Sequence, residues 1–351
     1  MRSLPLAWLS EWAPFQLDAL GLVTVFGAKE MNTSIGNLVH SWATDWLPVL
    51  GSYAVANNEI AQPEPGFVLY NITDGIMATD VSSWFTRWLM SFPLTYTATT
   101  IRLGMDGRPR PALHWAGAMA IGFSTTAVLL VFTIITDDAW GIANVAAMAF
   151  SVLLRQLMAS QLRSSIDKTI ENLQDDPGAD VKIFLTLPNG KAVTILGSRQ
   201  IVVNCILTDA RPVSPRYYYL MRVASWAVFG AHAITLGMST LFNQIFSVVA
   251  LLLGTYLTAA HVGDSREAIG TRLRLEVDMG DPAWFRPPAY ARLNMSPAEE
   301  EHMVHWSMMP QRSNTWWWER YRRNQLSILQ QAECQPSNPA AREVRSTKGR
   351  V

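Results

Sequence analysis

Few residues in this sequence are placed to do chemistry. His232 lies deep in a run from Val223 to Gly263, 41 residues without Asp, Glu, Lys or Arg. An ionisable group that deep in an apolar stretch marks either a functional site or an interhelical hydrogen bond. A neutral imidazole bonded to a neighbouring helix, for instance through Asn144, is the preferred reading. Arg155 and Arg222 sit near the ends of two apolar stretches. They are expected to snorkel to the inner interface, or to bind an anionic headgroup between helices. Asp137-Asp138 resembles half of an aspartate-rich metal motif, but no further carboxylate follows at helical spacing, so a polar turn is expected there. No Walker loop, GxGxxG, HExxH, GxSxG or CxxC pair occurs. Cys205 and Cys334 are too few for a disulfide framework or a zinc site. The sequence therefore assigns no catalytic residue, no metal and no cofactor, and it leans away from an enzyme.

The elements that would carry these residues are apolar runs. Residues 111–136 and 139–154 form two, split by the aspartates; the 41-residue run forms two more. A bilayer core of about 30 Å needs about 20 helical residues, and lipid admits only helices or closed barrels. The runs show no period-two alternation, so helices are expected at 113–135, 139–158, 218–238 and 242–262. The expected class is a membrane all-α protein, four transmembrane helices in two hairpins (111–160 and 217–263). A fifth candidate span covers 83–101, with Arg87 near its outer end and Pro93 as a kink. An interfacial helix is its rival.

Charge sets the orientation. The loops before, between and after the hairpins hold 13 Lys and Arg, and the two short hairpin loops hold none. That places the 161–216 segment and the C-terminus in the cytosol of a plasma or endomembrane protein. Residues 1–101 carry three basic and eight acidic residues, net −5. They also carry the sequons Asn32-Thr33-Ser34 and Asn71-Ile72-Thr73. Together these favour a non-cytosolic N-terminal region with glycans on Asn32 or Asn71. The first dozen residues imitate a signal peptide, but Glu11 cuts the apolar run short. Charged residues are 16% of the chain, below the roughly 25% of soluble domains. Net charge is zero, so no basic field points to nucleic acid. Fourteen tryptophans suit a membrane interface, and Trp115 with Tyr217, Tyr218 and Tyr219 would form part of an inner aromatic belt. Small residues four apart, Ala118/Gly122, Ala143/Ala147 and Ala233/Gly237, would let helices approach closely.

The polar segments have their own signals. Leu162, Ile166, Ile170 and Leu173 predict that the second span continues into the cytosol as an amphipathic helix. Asn189-Gly190, between the β-rich runs 181–187 and 191–196, predicts a type I′ hairpin. A third strand at 201–207 would complete a small cytosolic α+β module, suited to holding a protein partner. In the helical C-terminal region, 264–332, Ser296-Pro297-Ala298-Glu299 reads as a capping box. A later helix interleaves Trp316, Trp317, Trp318 and Tyr321 with Arg320, Arg322 and Arg323. It would lie at an anionic membrane surface or pack on the cytosolic sheet. Residues 333–351 read as a disordered tail.

The stretches NLVHSWATDWLPVLGSYAV, LYNITDGIMATDVSSW, LPNGKAVTI and NTWWWERYRRN give the chain a resemblance to uncharacterised multi-spanning membrane proteins of filamentous fungi. The resemblance implies no reaction and no functional residue. The leading expectation is a non-catalytic membrane scaffold or accessory protein that holds a cytosolic partner through 161–216. A transporter or channel subunit is second. A membrane-embedded enzyme on a lipid-like or secondary-metabolite substrate is third.

Overall fold

A computed structural model describes residues 11–14, 18, 21, 27–92, 94, 98–105, 110–174, 176, 178–187, 191–278 and 290–334. Three helices are long and apolar enough to cross a membrane: α4 (Ala112–Ile135), α5 (Ala139–Leu173) and α7 (Leu241–Ala259). The fourth expected span is α6 (Pro215–Met238), equal in length to α4 but less apolar, since it carries Arg216, Arg222 and three consecutive tyrosines. Helix α5 is 35 residues long because its apolar stripe does not stop at the bundle. Leu162, Ile166 and Ile170 continue it into a second core, as their spacing predicts.

That second core corrects the all-α expectation. It is built on an eight-stranded sheet in the order β1-β7-β8-β4-β6-β5-β2-β3. The strands are β1 (Val39–Ser41), β2 (Leu69–Asn71), β3 (Ile76–Ala78), β4 (Ala98–Gly104), β5 (Asp180–Thr186), β6 (Ala192–Ser198), β7 (Asp264–Ile269) and β8 (Leu273–Asp278). All neighbours run antiparallel except β4 and β6. The central strands are buried on both faces, hence their nearly continuous apolar sequence. Ile183 and Leu185 face Met158, Leu162 and Ile166 of α5 and the Trp84, Phe85 and Trp88 cluster of α3 (Ser83–Ser91). Phe184 faces the other way, toward α8 (Pro297–His305) and α9 (Thr315–Cys334).

Several boundaries change with this sheet. Residues 83–101 hold no span. Helix α3 ends at Ser91 with its aromatic face in the core, and the chain re-enters the sheet as β4. Arg87 is 1% exposed and donates to the carbonyls of Glu59 and Gln62 instead of snorkelling. The 161–216 segment is not a separate module, since β5 and β6 lie inside the sheet and pair with β2 and β4 from the N-terminal region. Their antiparallel register, Asp180↔Ser198 to Thr186↔Ala192, is that of a hairpin; the Asn189-Gly190 turn itself lies outside the described residues. The expected strand at 201–207 is a helical turn passing into a π-helix at Val202–Ile206. Ser198 Oγ accepts from the Ile201 amide at 3.4 Å, and this local cap overrides the β-branched composition.

Strands from residues 39–104, 180–198 and 264–278 thus share one sheet, which lies beyond the ends of α4–α7 opposite their hairpin loops. An N-terminal region across the membrane from 161–216 is incompatible with β2–β5 and β4–β6 pairing. Both sequons also lose their rationale. Asn71 is 7% exposed in β2 and its Nδ2, where a glycan would attach, donates to Asp74 at 2.7 Å. Asn32 lies in α1 (Ala28–Gly36) and accepts from Arg87 Nε at 3.2 Å.

At the far end of the bundle the two hairpin loops are tied together. Asp138 caps α5 through the Gly141 amide at 2.8 Å. Its other oxygen accepts from Thr240 N at 2.8 Å, Thr240 Oγ1 at 2.9 Å and Asn243 Nδ2 at 2.8 Å. Burial alone would raise its pKa, but these donors outweigh it and the pKa is lowered. The Asp137-Asp138 turn is therefore a clamp. Among the described residues no group of three His, Cys, Asp or Glu side chains could hold a metal.

Candidate functional site

The polar centre of the molecule lies where the bundle meets the sheet, and the chain between β1 and α2 (Ser52–Ala56) makes it. This segment enters the bundle between helices. Gly122 and Gly254 admit it: a Cβ would collide with the Trp46 carbonyl oxygen at the first and with that of Pro48 at the second. Gly122 is ten residues into α4, about 15 Å along its axis. So the small residue at 122, expected to let helices meet, admits irregular backbone instead. At Gly237 nothing approaches within 4 Å.

Backbone without regular partners is tolerated at such depth only if the protein satisfies it. Arg155 does this. It is 5% exposed and its Nη2 donates to the carbonyls of Asp45 at 2.6 Å and Leu47 at 2.8 Å. Gln156 also donates to Asp45 O, and Thr255 Oγ1 accepts from Leu50 N at 2.8 Å. Two turns beyond, Arg163 donates to the carbonyls of Leu38 and Val39 at 2.8 and 2.7 Å. Arg155 thus neither snorkels nor faces a headgroup; it holds the inserted segment. Arg222 lies half-buried near the start of α6, with its Nε buried and unpartnered.

Around Arg163 sit His40, Asp45 and Arg110. Asp45 Oδ2 is 3.2 Å from His40 Nδ1 and accepts from Arg110 at 3.0 Å. Burial, then the Arg163 charge, push the His40 pKa down to about 4, against the pull of Asp45. Burial alone would raise Asp45, but its bond to His40 and the Arg163 charge prevail, and its pKa is lowered to about 2. The unfolded His40, near 6.5, takes up a proton between about pH 6.5 and pH 4 where the folded one does not. Stability contributed by neutral His40 is thus complete above pH 6.5 and is lost as pH falls toward 4, by about 2–3 kcal/mol. Asp45 adds a second loss only below about pH 4. The unfolding midpoint in detergent should fall across the first window, and His40→Gln should flatten that limb.

Deeper in the bundle, Asn144 and His232 are 1% and 3% exposed. They are not joined as expected. Asn144 Nδ2 donates to Ser247 Oγ of α7 at 3.0 Å, while Asn144 Oδ1 and His232 Nδ1 have no partner among the described residues. Arg155 lines two cavities at once. One lies on the sheet side, with Asp45, Arg163 and Asp264; the other lies inside the bundle, with His232 and Ser151. Sequence reasoning flagged Arg155 and His232 and missed His40, Asp45 and Arg163, although Arg163 was legible as a basic residue on the apolar side of an amphipathic helix.

No protein-family model matches the chain, and no curated protein or solved structure is significantly similar to it. The geometry itself therefore carries the functional reading. His40–Asp45 and His261–Asp264 (2.8 Å) are the His–carboxylate pairs among the described residues. The hydroxyl beside the first pair is engaged: Ser41 Oγ donates to Val262 O at 2.8 Å and accepts from the Ala43 and Thr44 amides.

Proposed function

We propose that the chain is a multi-pass membrane protein in which α4–α7 all span and anchor the sheet-centred body to one face of the bilayer, where it acts as a non-catalytic scaffold. One observation carries this reading. Along the bundle the outward side chains of all four helices are mostly apolar, including Phe123 and Val131 on α4, Phe150 on α5, Ile234 on α6 and Leu253 on α7, while the exposed charges Lys168, Glu171 and Arg216 sit at the sheet end. Water would not tolerate such a coat, whereas lipid would. The coat on α6 is what supports it as the fourth span. At the sheet end Trp42, Trp115, Tyr217, Tyr219 and Tyr256 are exposed, as an interfacial belt requires. Tyr218 points inward and donates to Asn58 Oδ1 at 2.6 Å. The excess of Lys and Arg at this end supports a cytosolic body and C-terminus.

The partner surface follows from the sheet. With β5 and β6 enclosed, the 161–216 hairpin has no free face to offer. Strand β3 forms one edge of the sheet, and its Ile76 and Met77 are 56% and 52% exposed. An exposed apolar edge accepts an extended segment of another protein. A photo-cross-linking residue at Met77 should capture one partner from solubilised membranes. Ile76→Lys with Met77→Lys should abolish capture and leave membrane fractionation unchanged. Absence of any cross-link in the parent chain would remove the scaffold reading and move the transporter reading ahead, which the paired cavities at Arg155 favour.

A further inference from the structure

The cavity inside the bundle has a one-sided chemistry. Its polar lining consists of Ser52, Ser151, Arg155 and His232, and the rest is apolar. Each of those four side chains can donate a hydrogen bond, and no carboxylate lines the cavity. His232 is 3% exposed and its Nδ1 has no hydrogen-bond partner among the described residues.

Charge around Arg155 is also unbalanced. Three guanidinium groups, Arg110, Arg155 and Arg163, share this region with Asp45 and Asp264. The Asp45 carboxylate is engaged by Arg110, His40 and the Ser41 amide, and that of Asp264 by His261. The hydrogen bonds of Arg155 and Arg163 go to neutral carbonyls. Asp45 attracts both Arg155 and Arg163, and Asp264 attracts Arg163, without touching either guanidinium; carboxylates already shared with Arg110, His40 and His261 leave part of the cost of burying these cations, which a further counter-charge beside Arg155 offsets.

We propose that this cavity binds a small inorganic anion, of the size of chloride, with Arg155 as its counter-charge and Ser52, Ser151 and His232 as further donors. The free volume open to the centre of a water-sized body is about 10 Å³, room for one small ion stripped of its hydration shell. The apolar part of the wall favours a weakly hydrated ion. The proposal is independent of the scaffold reading, since it concerns the opposite side of Arg155 from the sheet edge.

The test uses the full chain in nanodiscs of zwitterionic phosphatidylcholine, with gluconate as bulk anion at constant ionic strength. Chloride is titrated in, and the unfolding midpoint and the ³⁵Cl line width are followed. Both should respond saturably, with bromide acting in the same way. Ser151→Ala removes one hydroxyl and His232→Phe keeps the ring volume; each should weaken the apparent affinity at least fivefold while the midpoint in gluconate changes little. Arg155→Lys should weaken it more than either. A parent chain with no saturable chloride response overturns the proposal. So does a response that Ser151→Ala and His232→Phe leave unchanged, because the ion then binds elsewhere.

Discussion

Cysteines placed at Thr79, Ala179 and Ser313 should react with an impermeant thiol reagent from the same side of the membrane, and a cysteine at Ala139 from the opposite side. All four positions are exposed. A Cys334→Ser background removes one native thiol, and Cys205 is buried. The effect is all-or-none because two incompatible topologies compete. Net charge and sequons place Thr79 outside. The pairing of Leu69, Tyr70 and Asn71 with Leu185, Phe184 and Ile183 places Thr79, just after the edge strand, with Ala179. A sheet cannot close across a bilayer, since its edge groups would cross hydrocarbon unpaired. If Thr79 and Ala179 label from opposite sides, the eight-stranded sheet does not exist in the membrane. The same sheet requires that endoglycosidase leave the mobility of the protein unchanged, because a glycan on Asn71 would displace Asp74 from it.

The residues that misled the topology show what a sequence can reveal here. Apolar runs are local, so the bundle was legible from the charge-free stretch after Val223 and from the split at Asp137. The extension of α5 was legible too, because Leu162, Ile166 and Ile170 repeat along one helix. The Ser296 capping box formed as its spacing predicts, with Ser296 Oγ accepting from Glu299 N at 3.3 Å and Glu299 accepting from Ser296 N at 2.7 Å. The sheet was hidden for the opposite reason. Strands β1, β2 and β3 are three residues each, too short to show a period of two. The strands that tie β1 and the β2–β3 hairpin into the sheet lie more than a hundred residues away, as in Leu69↔Leu185 and Val39↔Ile269. Trp84, Phe85 and Trp88 are apolar enough for lipid, and only the β4 pairing tells that they face a protein core. At the candidate site, Arg155 was visible as an oddity, but its role depends on carbonyls of a segment whose entry into the bundle rests on two glycines. No side-chain pattern encodes that approach.

Loss of both arginines from the Glu300 cluster should detach the C-terminal helices from the sheet. Glu300 is 0% exposed on α8, beside Tyr321 of the core that Trp318 and Tyr321 form with Tyr70 and Phe184. Its Oε2 accepts from Arg312 at 3.0 Å and Arg322 at 2.6 Å, and the Arg312 guanidinium lies 3.9 Å above the Trp318 ring. Of the two expectations for the Trp-rich helix, packing on the sheet is met: α9 docks through Trp318 and Tyr321, while Trp316 and Leu326 stay exposed. The arginines are nearly half exposed and lose little when Glu300 is absent, whereas a fully buried carboxylate stripped of its cations is costly. Arg312→Ala with Arg322→Ala should therefore destabilise the α8–α9 layer by about 2–4 kcal/mol, the usual range for a broken buried pair discounted for solvent at the arginines. Adding Glu300→Gln to the double variant should recover most of that loss, because the stranded charge goes with it. Limited proteolysis between α8 and α9 reads the result. Cleavage should accelerate in the double variant, slow again in the triple one, and leave the bundle fragment in the membrane throughout. Equal cleavage of the double variant and the parent would mean that Trp318 and Tyr321 hold α9 without the ion cluster.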